Sequence, residues 1–187
     1  FATLLGLFAG YQRVADELIM RLMDALMSIP NILLAIALVS ITGGNVPIVI
    51  GAITVTTAPR AVRVVRSAVL TLKETVYVDA ARAIGASTPR IVFRHVMPGT
   101  IAPVIVIATI IGAGSIVLEA VLSFLGAGIP PEIPSWGTMM AEGRRTISQA
   151  MWVVGFPGMF LTFTVLAVNI IGDNLRDILD PKLRRSG

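Results

Sequence analysis

The sequence predicts an all-α membrane protein, and three observations support this fold class. Of its 187 residues, 55% are hydrophobic and 14% are charged, whereas average globular chains carry about a quarter charged residues. The mean hydropathy is +0.85. Uncharged runs cover residues 25–59, 95–118 and 146–172. A membrane-spanning helix needs about 20 predominantly apolar residues, so these runs favour spans over a soluble helical protein with an unusually apolar core.

The apolar segments predict a single domain over 1–187 with a series of spans. These lie at 1–10 (the end of a span), 22–41, 48–72, 99–125 and 150–172. Residues 42–47 (TGGNVP) carry turn chemistry, so they divide the first long run into a hairpin. The second arm is long enough only if its helix continues to about residue 72, past Arg60, Arg63 and Arg66. We expect these arginine stems to lie on apolar surface while the guanidinium groups reach the lipid headgroups.

Basic residues predict the orientation. Placing 11–24, 60–98 and 173–187 on one side collects thirteen of the fifteen Lys and Arg residues there. Cytoplasmic loops carry the excess of basic residues, so the long polar loop 73–98 and the C-terminus are expected in the cytoplasm. The loop 126–149, rich in Pro and Gly, is then extracytoplasmic, with a short helix near 138–145.

Several classes of function lack their required residues. The sequence contains no cysteine and no G-x-x-x-x-G-K-[ST] run, which argues against thiolate chemistry and against an ATPase within this chain. His95 is the only histidine and has no second ligand at a metal-binding spacing, and the basic residues are divided among loops, which disfavours nucleic acid. No serine stands in a nucleophile-elbow context. The chain is therefore not predicted to be an enzyme.

The polar loop predicts two helices with a hinge between them. Residues 72–84 have helix-forming composition, and Gly85 follows where a left-handed residue ends a helix. Residues 86–89 (ASTP) restart a helix with a capping hydroxyl and a proline in the first turn. Pro98 and the glycine after it are expected to turn the chain back into the membrane. From these residues alone, an ordinary capped connector accounts for the loop equally well.

The loop resembles the signature of ABC importer permeases, which is Glu-Ala-Ala, three residues, Gly, nine residues and Ile-x-Leu-Pro. Here 79–81 (DAA), Gly85 and 95–98 (HVMP) match it. Asp79 replaces Glu and keeps the charge on a shorter stem. His95 replaces Ile, and a His followed by an aliphatic pair and Pro is typical of the dipeptide/oligopeptide/nickel branch.

Further stretches in order along nearly the whole chain are similar to the second, C-type permease of that branch. They are Gly10 and Tyr11 with Asp16, Arg21, Asp24 and Pro30; 61–66; Glu119 with 122–126 (LSFLG); 134–137 (PSWG); 156–158 (FPG); and Asn169 to Pro181. The sequence begins at Phe1 inside an apolar stretch, with no initiator Met. We therefore expect a piece of a longer permease that lacks its first span and the extracytoplasmic segment after it.

This resemblance implies a MetI-like helical bundle, the transmembrane domain of a type I ABC importer in the bacterial cytoplasmic (inner) membrane. It implies a second permease subunit as heterodimer partner, two cytoplasmic ATPase subunits that bind ATP and Mg, an extracytoplasmic solute-binding protein and the lipid bilayer, with no cofactor in this chain. A coupling helix in the loop would contact the ATPase. The residues implied are Tyr77, Asp79, Ala80, Ala81, Ile84, Gly85 and Pro98. Peptides are the expected cargo, with nickel complexes or related small solutes as alternatives.

Polar residues within the spans are candidates for the translocation path or for packing of the bundle. They are Glu119, Ser115, Ser123, Thr162 and Asn169. A carboxylate at the bilayer centre costs about 2.5–3.5 kcal/mol on insertion scales, so the face with Glu119 must point into protein or water. Packing near the outer helix end is the favoured role for Glu119, with contact to solute as the alternative. For Asn169 an interhelical hydrogen bond is favoured over solute contact.

A carrier or channel driven by an ion gradient, without an ATPase, is the competing hypothesis. Such proteins show acidic residues in several spans, or broken helices repeated across two halves. Only Glu119 meets the first criterion. The sequence therefore favours the ATP-driven importer.

Overall fold

A computed structural model describes residues 1–179, and in this part of the chain all regular structure is helical. The helices are α1 (Ala2–Tyr11), α2 (Arg13–Met27), α3 (Asn31–Thr42), α4 (Val46–Leu72), α5 (Val76–Ala83), α6 (Thr88–Ile91), α7 (Met97–Phe124), α8 (Trp136–Gly143) and α9 (Trp152–Leu179). A π-helical turn, Val92–Val96, joins α6 to α7, and a 3-10 turn, Arg144–Thr146, follows α8. The end of the predicted C-terminal tail, with Pro181, lies outside the described residues.

Three helical segments among the described residues are long and apolar enough to cross a membrane. They are α4, the continuous segment Thr88–Phe124 and α9. The pair α2 and α3 forms a fourth only if taken together, because the two helices meet at 91°. The segment predicted as one span at 22–41 is therefore broken. Pro30 stands at the break, where it lacks an N–H and disfavours a helical residue before it.

Pro98 does not turn the chain, contrary to the prediction from the sequence. It is the second residue of α7, inside the continuous segment Thr88–Phe124. A proline is tolerated in the first turn of a helix, and local π geometry can satisfy backbone groups that a proline leaves free. The turn Val92–Val96 lies immediately before α7, so the chain passes from the polar loop into the span without a corner.

The described chain divides into two compact units. Unit 1 comprises Phe1–Leu26, Ala58–Ala108 and the residues from Gly172 onward, and unit 2 comprises Met27–Thr57 and Thr109–Ile171. Each unit has its own buried apolar cluster. In unit 1 the cluster contains Leu7, Val65, Val69, Val78, Ala81, Ile91 and Val96. In unit 2 it contains Ala35, Val39, Val49, Ala52, Ile53 and Leu122.

Two glycines bring the backbone of α1 against α4 in unit 1. A Cβ placed on Gly6 would lie 2.5 Å from the Cβ of Val65, and one on Gly10 would lie 2.6 Å from the Cβ of Val69. Because the backbone fixes the position of a Cβ atom, no side-chain rotation of either valine would relieve these contacts. The spacing of small residues therefore permits the close approach of these helices.

Ion pairs tie α2 to α4 within unit 1. The guanidinium of Arg66 donates two hydrogen bonds to the carboxylate of Asp16, and Arg63 Nη2 lies 2.5 Å from Asp24 Oδ1. Lys73 Nζ donates to the carbonyl oxygen of Gly10 at 3.1 Å. The prediction that the α4 arginines extend to lipid headgroups is therefore wrong for Arg63 and Arg66, because aspartates on a neighbouring helix hold them.

The hairpin between α3 and α4 belongs to unit 2. Gly43 has a φ of +84°, and Asn45 Oδ1 accepts a hydrogen bond from the backbone N–H of Ile48 at 3.0 Å. The asparagine therefore caps the first turn of α4, as short polar side chains commonly do. A Cβ on Gly44 would lie 2.8 Å from the carbonyl oxygen of Gly128, so this turn packs closely against the loop after α7.

The two ion pairs predict unequal losses of stability. The Asp16 side chain is 22% exposed and the Asp24 side chain 62%. We expect Asp16→Asn to lower stability by about 1–3 kcal/mol, because it leaves the partly buried Arg66 without its charge partner. The matched change Asp24→Asn should cost at most about 1 kcal/mol. The measurement is the fraction of monodisperse transporter that remains after heating, and equal losses for the two variants would contradict this ranking.

Candidate functional site

The first candidate site is α5, which is anchored to unit 1 by one face. Val78 is fully buried and Ala81 is 4% exposed, and both pack into the cluster that also contains Ile91 and Val96. The helix is short, so this buried face decides its position. The methyl group of Ala81 is thus directed into the core of its own chain and not onto the exposed face of α5, and its predicted contact with an ATPase stays a prediction.

The opposite face of α5 is exposed and partly apolar. Val76 and Ile84, at the two ends of the helix, are 84% and 86% exposed, and Tyr77, Asp79 and Ala80 are also exposed. Aliphatic side chains this exposed, on a polar segment outside the long apolar helices, form a surface suited to a protein partner. We call these five residues the α5 surface.

Gly85 ends α5 in a left-handed conformation, with a φ of +80°. The N–H of Ala86 donates to the carbonyl of Ala81 at 3.0 Å, and the N–H of Gly85 donates to that of Arg82 at 2.9 Å. This pair of bonds is the Schellman motif that closes helix ends at a glycine. The predicted conformation of Gly85 is thus observed, and it sets the direction in which the chain leaves the α5 surface.

Further polar contacts link α5 to itself and to the π-helical turn. Asp79 and Arg82 form an ion pair of 2.9 Å, three residues apart on α5. The Tyr77 hydroxyl donates to the carbonyl oxygen of His95 at 3.4 Å. His95 therefore lies near α5 through its backbone. Pro98, also predicted to belong to this site, is exposed in the first turn of α7.

The second candidate site surrounds Glu119 in unit 2. Its Oε1 accepts a hydrogen bond from Ser123 Oγ at 2.7 Å and a longer one from Ser135 Oγ at 3.4 Å. Ser135 also caps α8. Its hydroxyl accepts a hydrogen bond from the backbone N–H of Thr138, and the Thr138 hydroxyl accepts one from the backbone N–H of Ser135. The carboxylate therefore connects the end of α7 to the start of α8.

A cavity of about 680 Å³ opens beside this carboxylate. It is lined by the start of α4, by the last third of α7, by the residues that lead into α8 and by the first turn of α8. Ser115 and Glu119, four residues apart on one face of α7, both line it, together with Ser135 and Trp136. Ser123 lies behind the carboxylate and does not line this cavity. The structure thus brings Ser115, Glu119 and Ser123 together, as the helical spacing predicts.

Thr162 and Asn169 lie apart from this group, on α9. The Thr162 hydroxyl donates to the carbonyl of Gly158 at 2.8 Å, and Asn169 Nδ2 donates to that of Val165 at 3.0 Å. Both bonds run along α9 itself. The interhelical bond expected for Asn169 is therefore replaced here by a bond within its own helix, which is the usual alternative for a polar side chain in an apolar helix.

Comparison with known families decides the class of protein. The model of the family described as "binding-protein-dependent transport system inner membrane component" matches residues 2–185. The chain belongs to this family. The inner membrane component therefore has the helical type I importer transmembrane fold that the sequence predicts, and it is a multi-pass protein of the inner membrane. Membership in a transport family is consistent with the prediction that this chain is not an enzyme. The same membership does not favour the alternative of an ion-gradient-driven carrier.

Named relatives are similar over nearly the whole chain. A putative peptide transport system permease protein of Brucella abortus is 48% identical over 184 residues, covering 98% of this chain and 62% of the relative. The di/tripeptide transport system permease protein DppC of Pseudomonas aeruginosa is 46% identical, covering 98% and 61%. The glutathione transport system permease protein GsiD of Pectobacterium atrosepticum is 44% identical, covering 97% and 61%. This inner membrane component thus spans about three fifths of the length of these relatives.

Sequence reasoning missed two features of these sites. It assigned no role to Ser135 and Trp136 within the PSWG stretch, although serine is a preferred residue at a helix N-cap. It also missed the π-helical turn Val92–Val96, for which the residues VFRHV carry no distinctive local signal.

Proposed function

We propose that this inner membrane component is a permease subunit of an ATP-driven peptide importer and forms half of its translocation pathway. Its partners would be a second permease subunit, two cytoplasmic ATPase subunits and an extracytoplasmic peptide-binding protein. The family description supports the dependence on a binding protein, and the names of the three relatives support a peptide or a peptide-like cargo. ATP hydrolysis would occur in the partner subunits.

The observation that carries the proposal is the α5 surface. Val78 and Ala81 hold α5 to the core of unit 1, while Val76 and Ile84 are left almost wholly exposed. A helix anchored by one face transmits a push on its other face to the elements it packs against, because packed cores resist local deformation. In this chain those elements include α4, through Val65 and Val69, and the start of the segment that continues into α7. ATPase closure would thereby move the spans.

Uptake by the reconstituted transporter tests the proposed function. We expect the full-length protein, assembled with its partner subunits in proteoliposomes, to accumulate radiolabelled tri-alanine only with ATP and the binding protein present. The control replaces ATP by a proton or sodium gradient. Accumulation driven by the gradient alone would favour the ion-coupled carrier and contradict the proposal.

If the ATPase docks on the α5 surface, a charge introduced there should weaken its binding. Ile84→Glu places a charge at the most exposed aliphatic position of this surface, so we expect the amount of ATPase that co-purifies with the permease to fall about tenfold. Ile84→Leu keeps an aliphatic side chain there and should retain the ATPase. Membrane insertion should be unchanged in both variants. Full ATPase recovery with Ile84→Glu would show that docking occurs elsewhere.

The left-handed conformation of Gly85 predicts that a β-branched substitution at this position lowers ATP-driven uptake. No atom lies within 4 Å of a Cβ built on Gly85, so substitution acts through its positive φ alone. Gly85→Val disfavours the left-handed conformation and should lower ATP-driven uptake about tenfold or more, because the chain then leaves α5 in another direction. Asparagine tolerates this conformation, so Gly85→Asn should keep most of the uptake. Equal uptake by the Val and Asn variants would remove Gly85 from the coupling path.

A further inference from the structure

The cavity beside Glu119 has the composition of a ligand site with one polar end. Its volume of about 680 Å³ falls within the range of small-molecule pockets, about 300–1,000 Å³. Most of its wall is apolar, with Val49, Ile53 and Ile116 among the lining residues. The hydroxyl of Thr54, which also lines it, already donates to the carbonyl of Ile50 at 2.7 Å. The polar groups that remain are those around Glu119.

The carboxylate of Glu119 has no cation beside it within residues 1–179. Two serine hydroxyls donate to Glu119, both to Oε1, so Oε2 retains its capacity to accept hydrogen bonds. The hydroxyl of Ser115, one helical turn away, has no hydrogen-bond partner in the same part of the chain. A carboxylate in an apolar wall is stabilised strongly by a cation that can also donate hydrogen bonds. The cavity is therefore complementary to a small cationic group.

The chemistry of the wall favours an organic ammonium group over a metal ion. Ca²⁺ takes six to eight oxygen ligands, and Mg²⁺ takes an octahedron of them, whereas among residues 1–179 Glu119 is the only acidic residue that lines the cavity. An ammonium group needs a few acceptors, and Trp136 adds an aromatic surface of the kind that attracts cations. No Lys or Arg of the described part of the chain lines the cavity, so no basic side chain there would pair with a carboxylate of the ligand.

We propose that this cavity binds the free α-ammonium group of the transported peptide, with Glu119 as its counter-charge and Ser115 as a further acceptor. The inference rests on the proposed function and adds to it a site within the permease itself. The apolar wall would hold the first side chains of the peptide without selecting one type. The lining residues lie at the start of α4, in the last third of α7 and around the start of α8. The basic residues predict that the α3–α4 hairpin and the loop containing α8 are extracytoplasmic, on the side where a binding protein would release its peptide.

Protection of an introduced thiol tests the site in the assembled full-length transporter in nanodiscs. Met139 lines the cavity and is 47% exposed, and the 187 residues contain no cysteine. Maleimide labelling of Met139→Cys is followed by mass spectrometry of the fragment that carries it. We expect tri-alanine and tri-alanine amide to slow the labelling. N-acetyl-tri-alanine should need about tenfold higher concentration for the same effect, because it has no ammonium group.

Two further variants test whether Glu119 causes the preference for a free ammonium group. In the Met139→Cys background, Glu119→Gln should abolish the difference between tri-alanine and its acetylated form. Glu132→Gln changes an exposed residue of the same loop that does not line the cavity, and it should leave the difference intact. If Glu119→Gln fails to assemble, the comparison of free and acetylated peptide with Glu119 in place still decides.

Three results would overturn the inference. Equal protection by free and acetylated peptide would exclude recognition of the ammonium group. A thiol that maleimide cannot reach without peptide would show that another part of the transporter fills the cavity. ATP-driven uptake of tri-alanine without any protection would leave the proposed function standing while removing this site. By contrast, absence of ATP-driven uptake in the unmodified transporter would reject the proposed function itself.

Discussion

The burial of Val78 against α4 is the contact on which the proposed mechanism depends. Burying a valine side chain contributes about 1.5–3 kcal/mol, and Val78 is joined in its cluster by Val65, Val69 and Val96. A polar segment of this length between two spans would otherwise be a loosely held loop. Because these valines are branched and closely packed, α5 behaves as an extension of the spans around it.

The charged groups within the apolar helices differ in whether the chain itself neutralises them. Arg66 and Arg63 interrupt the apolar helix α4, and each is paired with an aspartate of α2. Glu119 near the end of α7 has only serine hydroxyls beside it within the described residues. The charges of Arg63 and Arg66 are thus neutralised within the chain, whereas the carboxylate of Glu119 keeps the capacity to accept a cation, as the proposed binding role requires.

Much of the fold could be predicted because its signals are local. Long uncharged runs mark the spans, and a glycine between two helical segments marks the end of α5, where the observed φ is +80°. The orientation of Ala81 could not be predicted, because on so short a helix the sequence does not show which face meets the core. The pairing of Asp16 with Arg66 could not be predicted either, because the two residues are 50 positions apart. The break at Pro30 could not be predicted because prolines also occur within α4, α7 and α9, which continue through them.

The exposure of Val76 and Ile84 has a consequence for the life of the protein in the cell. A copy synthesised without the proposed partners carries two exposed aliphatic side chains on a segment that the basic residues place in the cytosol. Such surfaces attract chaperones and proteases. If the proposed ATPase covers this patch, unassembled copies should be degraded faster than assembled ones, and the number of surviving subunits should follow the supply of that ATPase.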